Sequence, residues 1–140
     1  MLPSNGIFFA PAAAHIHALC FDTPWTQEQF EKLLALPTSK LWINENALLL
    51  CSEVATQMEI LTIGVIPEKQ RQHLAQQLLD ELFQYANSRG IKSIFLEVAE
   101  DNLPAKNLYF KMGFVQTGRR KGYYLRKNKN IDALCLTKTL

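Results

Sequence analysis

Residues 59–79, EILTIGVIPEKQRQHLAQQLL, change their period halfway along. Glu59 to Pro67 is an apolar, strand-like run. From about Glu68 to Arg89 the period is helical: Ala75, Leu78, Leu79, Leu82 and Ala86 recur at i, i+3, i+4, i+7 and i+11, on one face. Gly90 is a natural residue to close that helix. A strand that feeds a helix through a short turn leaves backbone N–H groups free at the helix opening, where phosphate commonly binds. Such turns usually carry glycine, because the backbone must come close to the ligand. This one carries His73.

Downstream, IKSIFLEVA (91–99) is a second strand, with Ile94, Leu96 and Val98 on one side and Phe95 and Glu97 on the other. Asn102 caps a short helix in which Ala105, Leu108, Tyr109 and Met112 share a face, and Gly113 ends it. FVQTGRR (114–120) and IDALCLTKTL (131–140) finish as strands. Upstream, GIFF (6–9) is expected as a short first strand, and Pro11 suits the first turn of a helix that runs to about Cys20. Thr26 and Gln29 form a capping box for QEQFEKLLAL (27–36). KLWIN, ALLLCSEV and QMEILTIGV are three strands, the first two joined by NEN turn chemistry. The order β-α-α-β-β-β-α-β-α-β-β implies an α/β chain: a mixed, mostly antiparallel central sheet with one strand-helix-strand crossover and helices on both faces.

The 140 residues suit a single domain spanning 1–140. Hydrophobic residues at 48% and charged residues at 20% are ordinary for a globular protein. No apolar run approaches the roughly 20 residues of a membrane span. GIFFAPAAAHIHALC contains Pro11 and two histidines and follows no basic residue, so it is a poor signal peptide. The expected location is the cytoplasm. Three scattered cysteines argue against a disulfide framework and a structural zinc site. In HIHALC only His17 and Cys20 can share a helix face, and two ligands do not hold a metal, so none is expected. A net charge of +2 does not by itself imply nucleic acid, and no membrane partner is expected. GRRKGYYLRKNK packs six Lys or Arg into residues 118–129. It is either a solvated hairpin or loop, or a rim that steers a polyanionic ligand or an acidic partner.

The crossover brings the opening of the long helix beside the carboxyl ends of its flanking strands, where ligands of mixed α/β folds bind. Glu97 lies near one such end, and Tyr109 lies on the helix that follows. A base, an acid and a phosphate cradle can therefore converge. On the residues alone, Glu97 is more often a solvated position on an open sheet face, and Tyr109 more often a half-core ring with its hydroxyl bonded to backbone.

EILTIGVIPEKQRQHLAQQLLDEL, IFLEVAEDNLPAKNLYFKMGF and YYLRKNKNIDALCL resemble the GNAT N-acetyltransferases, and within them the RimI group of ribosomal-protein N-terminal acetyltransferases. FDTPW (21–25) is similar to that group as well. The resemblance implies acetyl-CoA as acetyl donor and a protein or peptide N-terminus, in that group a ribosomal protein, as acceptor. It assigns the backbone of Ile63, Gly64 and Val65 to the pantetheine arm and thioester. It assigns the turn Gln70, Arg71, Gln72, His73, Leu74, Ala75 and Gln76 to the diphosphate, and Asn102 to a contact near the pantetheine. Glu97 matches the proposed general base and Tyr109 the proposed general acid. Tyr123 and Tyr124 match a pair near the peptide groove, and equally suit core and edge aromatics of a hairpin.

The chemistry is physically sound. An α-amine with pKa about 7.7–8.0 is easier to deprotonate than a lysine near 10.4. A carboxylate takes its proton, directly or through water, and a tyrosine hydroxyl supplies one to the departing thiolate. A strand N–H can stabilise the oxyanion at the thioester carbonyl. Two other readings stay open: a GNAT enzyme for a small-molecule amine or a lysine, and a degenerate CoA-binding domain without catalysis.

The sequence departs from the family pattern Gln/Arg-x-x-Gly-x-Gly/Ala at one residue, His73 in place of the middle glycine. With helical dihedrals a histidine is sterically allowed there; at positive φ, or packed against the diphosphate, its ring obstructs. A histidinium would instead add charge to the anion site.

Overall fold

A computed structural model describes residues 2–140. Six strands, β1 (Ser39–Ile43), β2 (Ala47–Val54), β3 (Gln57–Val65), β4 (Ser93–Ala99), β5 (Val115–Arg126) and β6 (Lys129–Thr139), form one sheet in the order β1-β2-β3-β4-β6-β5. All neighbours are antiparallel except β3 and β4. The helices are α1 (Ala10–Cys20), α2 (Gln27–Leu34), α3 (Leu74–Ser88) and α4 (Leu103–Lys111). No helix among the described residues is long and apolar enough to cross a membrane.

Local chemistry explains the elements. Asn44 Oδ1 accepts from the N–H groups of Asn46 (2.8 Å) and Ala47 (3.0 Å), which closes the β1–β2 hairpin. Thr26 Oγ1 accepts from Gln29 N at 3.1 Å while Gln29 Oε1 accepts from Thr26 N at 2.8 Å, the expected capping box of α2. Alternation along the strands then sorts two cores. One face carries Trp42, Leu49, Met58, Ile94, Leu96, Val98, Leu134 and Leu136 against Leu78, Leu79, Leu82 and Ala86 of α3 and Tyr109 of α4. The other carries Leu41, Leu48 and Leu50 against Ala10, Ala13 and Ile16 of α1 and Phe30 and Leu34 of α2. Each large aliphatic side chain so buried contributes about 1.5–3 kcal/mol. On that second face α1 and α2 pack against β1, β2 and β3, and they leave β4, β6 and β5 uncovered.

Three expectations are corrected. GIFF is not a strand: Ile7–Phe9 is a 3₁₀ turn leading into α1, and only Ser4 pairs with β1, through two backbone bonds to Leu41 of 2.8 and 2.7 Å. A four-residue apolar run next to Pro11 carries too few residues for a ladder, and the helical geometry of α1 reaches back over it. The long helix begins at Leu74, not Glu68. Pro67–Lys69 forms a separate 3₁₀ turn, because Pro67 sets its geometry and residues 68–73 carry no apolar stripe. The last two strands are longer than expected, so the basic GRRKGYYLRKNK segment lies almost wholly in the β5–β6 hairpin.

The sheet forks at its centre. β3 and β4 pair at only three positions, Gln57 with Ser93, Met58 with Ile94 and Glu59 with Phe95. Leu50 then pairs with Thr62 and Cys51 with Ile60, which leaves Leu61 as an extra residue in β3. The bulge bends β3, and beyond Glu59 its outer edge has no strand partner.

Candidate active site

The fork opens toward the start of α3. Gln70 Nε2 donates to the Val65 carbonyl at 3.1 Å and folds the turn back onto β3. Arg71 and His73 then both stand in the left-handed region, at φ 65° and 62°. The helical alternative for His73 is thereby overturned: the residue occupies a conformation that favours glycine. Histidine is among the side chains that tolerate it, at a cost of roughly 1–2 kcal/mol. Alternating conformations of this kind turn successive N–H groups to one side and form an anion-binding concavity. α3 has no side-chain cap and no acidic residue in its first turn. The N–H groups of Leu74, Ala75 and Gln76 therefore face outward uncapped, with Arg71 beside them. This arrangement suits a diphosphate.

The strand side of the fork is fixed by α1. His17 is 3% exposed; Trp25 N donates to its Nδ1 at 3.0 Å, so Nε2 carries the proton and donates to Thr62 Oγ1 at 3.1 Å. Its ring stacks on Phe21 and Trp25. Burial pushes the imidazole pKa down to about 4, which keeps it neutral. His17 thus ties the FDTPW segment to the bulged strand. Gly64 serves the same approach: a Cβ there would meet Cys20 Sγ at 3.0 Å and the Phe21 ring at 3.2 Å.

Glu97 lies on the uncovered face, on the β4 arm of the fork. Its Oε1 accepts from Arg120 Nη1 at 2.9 Å, and Cys135 Sγ lies 3.9 Å from Oε2. The Arg120 guanidinium sits 3.7 Å from the Tyr123 ring centroid. A wide bulge makes this possible: Arg120 pairs with Ala133 and Tyr124 with Ile131, so residues 121–123 stand against Asp132 alone. Gly122, at φ 60°, supplies the turn, and its N–H donates to Asp132 Oδ1 at 2.8 Å. Arg119 Nη1 bridges Asp132 Oδ2 (2.7 Å) and Glu100 Oε2 (2.8 Å). Tyr123 is half-exposed and meets the half-buried Tyr124 edge-on at 5.1 Å. Arg119, Arg120 and Asp132 escaped the sequence reading. The only signal for them was the YY…DAL spacing, which marks no partner.

Tyr109 approaches from the opposite face. It is 6% exposed and packs edge-on against Phe114. No hydrogen bond to its hydroxyl forms among the described residues, so the backbone-bonded reading of this ring does not hold. Burial, and then the neighbouring Cys51 and Tyr124, hold its pKa well above that of an ordinary tyrosine. Its hydroxyl therefore keeps its proton at neutral pH. Asn102 is a helix cap, its Oδ1 accepting from Ala105 N at 3.3 Å; its amide nitrogen remains for a ligand. The structure thus brings Glu97 and Arg120 together with the tyrosine pair, sets Tyr109 on the opposite face of the sheet, and places the turn at the fork's open end.

The chain matches the Acetyltransferase (GNAT) family over residues 10–114. It is 32% identical over 142 residues to the [ribosomal protein bS18]-alanine N-acetyltransferase of Haemophilus ducreyi, covering 94% of this chain and 93% of that protein. It is 28% identical over 130 residues to the enzyme of the same name from Escherichia coli, covering 90% and 88%. The crystal structure of the ribosomal-protein-S18-alanine N-acetyltransferase from Escherichia coli superimposes with a TM-score of 0.90 at 26% identity, over 99% of this chain and 92% of that one.

Proposed function

This chain belongs to the GNAT acetyltransferase family, and on that premise we propose that it acetylates the α-amine at the N-terminus of a protein, a ribosomal protein of the bS18 kind. Such an acceptor sets the reaction in the cytoplasm. Acetyl-CoA is the donor and supplies an activated acetyl thioester. The observation that carries the reading is the bare sheet face over β4, β6 and β5. Glu97 lies on it, flanked by the α1–α2 segment and the bulged hairpin, so an extended chain has room to approach.

In this proposal the uncapped N–H groups of Leu74, Ala75 and Gln76, with the turn Gln70–His73, hold the diphosphate. The free edge of Ile63, Gly64 and Val65 and the Asn102 amide hold the arm. Glu97 accepts the proton of the α-ammonium, directly or through a water, once the acceptor competes with Arg120 for its oxygens. Tyr109 presents a protonated hydroxyl where the sulfur departs. Tyr123 and Tyr124, set by the Asp132-pinned bulge, line the acceptor's path.

Thiol release from acetyl-CoA with N-terminal hexapeptides, set against blocked lysine peptides, tests the reading. Turnover of the free α-amine peptides is expected to be the greater by far. A preference for lysine peptides or small amines would replace it, and failure to bind acetyl-CoA at millimolar concentration would remove catalysis altogether.

A further inference from the structure

One residue of β6 joins the loop after β4 to the bulge of β5. β4 and β6 pair as far as Ala99 with Ala133, so Asp132 lies one step beyond that ladder, opposite Glu100. On its other side it faces the bulged residues 121–123. It bonds to both. Its carbonyl accepts from Glu100 N at 2.9 Å. Its Oδ1 accepts from Gly122 N at 2.8 Å, inside the bulge. Its Oδ2 accepts from Arg119 Nη1 at 2.7 Å, and the same nitrogen reaches Glu100 Oε2 at 2.8 Å. Lys106 Nζ of α4 donates to the Glu100 carbonyl at 3.0 Å, which ties α4 to the same point. Arg126 makes a second crossing, to Asp101 at 3.4 Å, with its guanidinium 5.3 Å from the Tyr124 ring centroid. Glu100 and Asp101 lead straight into Asn102 and α4, and the bulge carries Tyr123 and leads into Tyr124. The side chains of Arg119 and Glu100 are 37% and 43% exposed, and ion pairs so exposed add little to stability. What they fix is geometry. A carboxylate held by an N–H on one oxygen and a guanidinium on the other has one orientation. Gly122 can adopt many conformations, and its bond to Asp132 selects one.

We infer that Asp132, with Arg119 as its second arm, is a positioning residue that sets the bulge of β5 against the loop after β4, and so decides how tightly acceptor residues beyond the first are held. The inference rests on the acetyl-transfer reading above and adds to it a residue that touches neither substrate. Asp132 acts through Tyr123 and Tyr124, which the bulge presents. A single-residue acceptor does not reach along that path and escapes the effect. The diphosphate turn before α3 lies on other elements, so the donor escapes it too.

Asp132→Ala removes both carboxylate contacts. With a hexapeptide acceptor it should raise KM about tenfold, and with alanine amide by no more than about twofold. Turnover at saturation should change little with either acceptor, and the acetyl-CoA Kd should not move. Arg119→Gln should raise the hexapeptide KM about threefold, and Arg119→Lys should restore most of it. With Tyr123→Ala already in place, Asp132→Ala should add little, because both act through one ring; a merely structural role would add in full. Equal rises for the two acceptors overturn the inference, and so does an unchanged hexapeptide KM or a fall in kcat at constant KM. Should Asp132→Ala not fold, Asp132→Asn keeps an acceptor for Gly122 and loses the charge toward Arg119; a hexapeptide-only rise of about threefold supports the inference and no rise overturns it. The two readings fail separately. Absence of any α-amine turnover by the wild-type protein defeats the proposed function. Amide hydrogen exchange then decides Asp132: its substitution should quicken exchange about tenfold in residues 119–124 and 100–106 together. Quickening in only one of those segments, or in neither, overturns the inference.

Discussion

Helices α2 and α3 begin in opposite ways. α2 satisfies its own first turn: Thr26 and Gln29, three residues apart, exchange hydrogen bonds. α3 begins with two left-handed residues, no cap and no acid. A helix start left open and held in a strained turn is poor engineering for stability alone. It makes sense where an anion completes it. α2 carries its cap in the chain, whereas in the proposed function α3 takes its cap from the donor's diphosphate.

That contrast can be broken or sharpened by substitution. The largest effect belongs to the chemistry that α3 serves. Tyr109→Phe and Glu97→Gln should each lower kcat by about 10²–10⁴-fold, with thermal unfolding near that of the wild type and acetyl-CoA affinity kept; an unaffected rate would remove that side chain from the mechanism. Next comes Gln76→Glu, which puts an acid in the open first turn. It should stabilise the free protein by about 0.3–1 kcal/mol through the helix dipole and weaken acetyl-CoA binding tenfold or more by charge repulsion, on the order of 1.4 kcal/mol. Unaltered affinity would break the idea that this turn holds the diphosphate. Thr26→Ala at the capped helix should do the reverse, costing about 1 kcal/mol of stability and leaving acetyl-CoA affinity untouched. His73→Gly is gentler still. It relieves the left-handed strain and should raise Tm by about 2–4 °C and tighten acetyl-CoA binding a few-fold. A loss of affinity would show that the imidazole itself contacts the ligand.

pH supplies the smallest test near neutrality. The folded protein holds His17 neutral, with a pKa of about 4 against 6.5 in the unfolded chain. The unfolded state therefore binds the proton more readily. Stability from this site is complete above pH 6.5 and declines as pH falls from 6.5 toward 4. Urea midpoints at pH 7, 6 and 5 should record that decline, and His17→Gln should flatten it even though it starts from a less stable protein.

Much of the fold was legible because periodicity survives translation into burial. The stripe Leu78, Leu79, Leu82, Ala86 and the alternation Ile94, Leu96, Val98 needed no partner to be recognised, and both are buried as read. The capping box and the Asn44 turn were legible because their partners lie within three residues in the chain. GIFF misled because four apolar residues satisfy a strand and a helical turn equally well. Within the site, the turn and the pair Glu97 and Tyr109 stood out through the family pattern.

The sequence alone determined the order of elements, which faces are apolar, where two of the helices are capped, and that the turn at His73 lacks its glycine. These properties depend on residues a few positions apart. Tertiary structure decided the rest. It set His73 at positive φ, split β3 from β4 after three pairs, brought Arg120 onto Glu97 across 23 residues and Asp132 onto Gly122 across 10, and left one half of one sheet face bare. Each of these depends on which strands become neighbours and in what register, and that is settled by packing the whole sheet between its helices rather than by any single stretch.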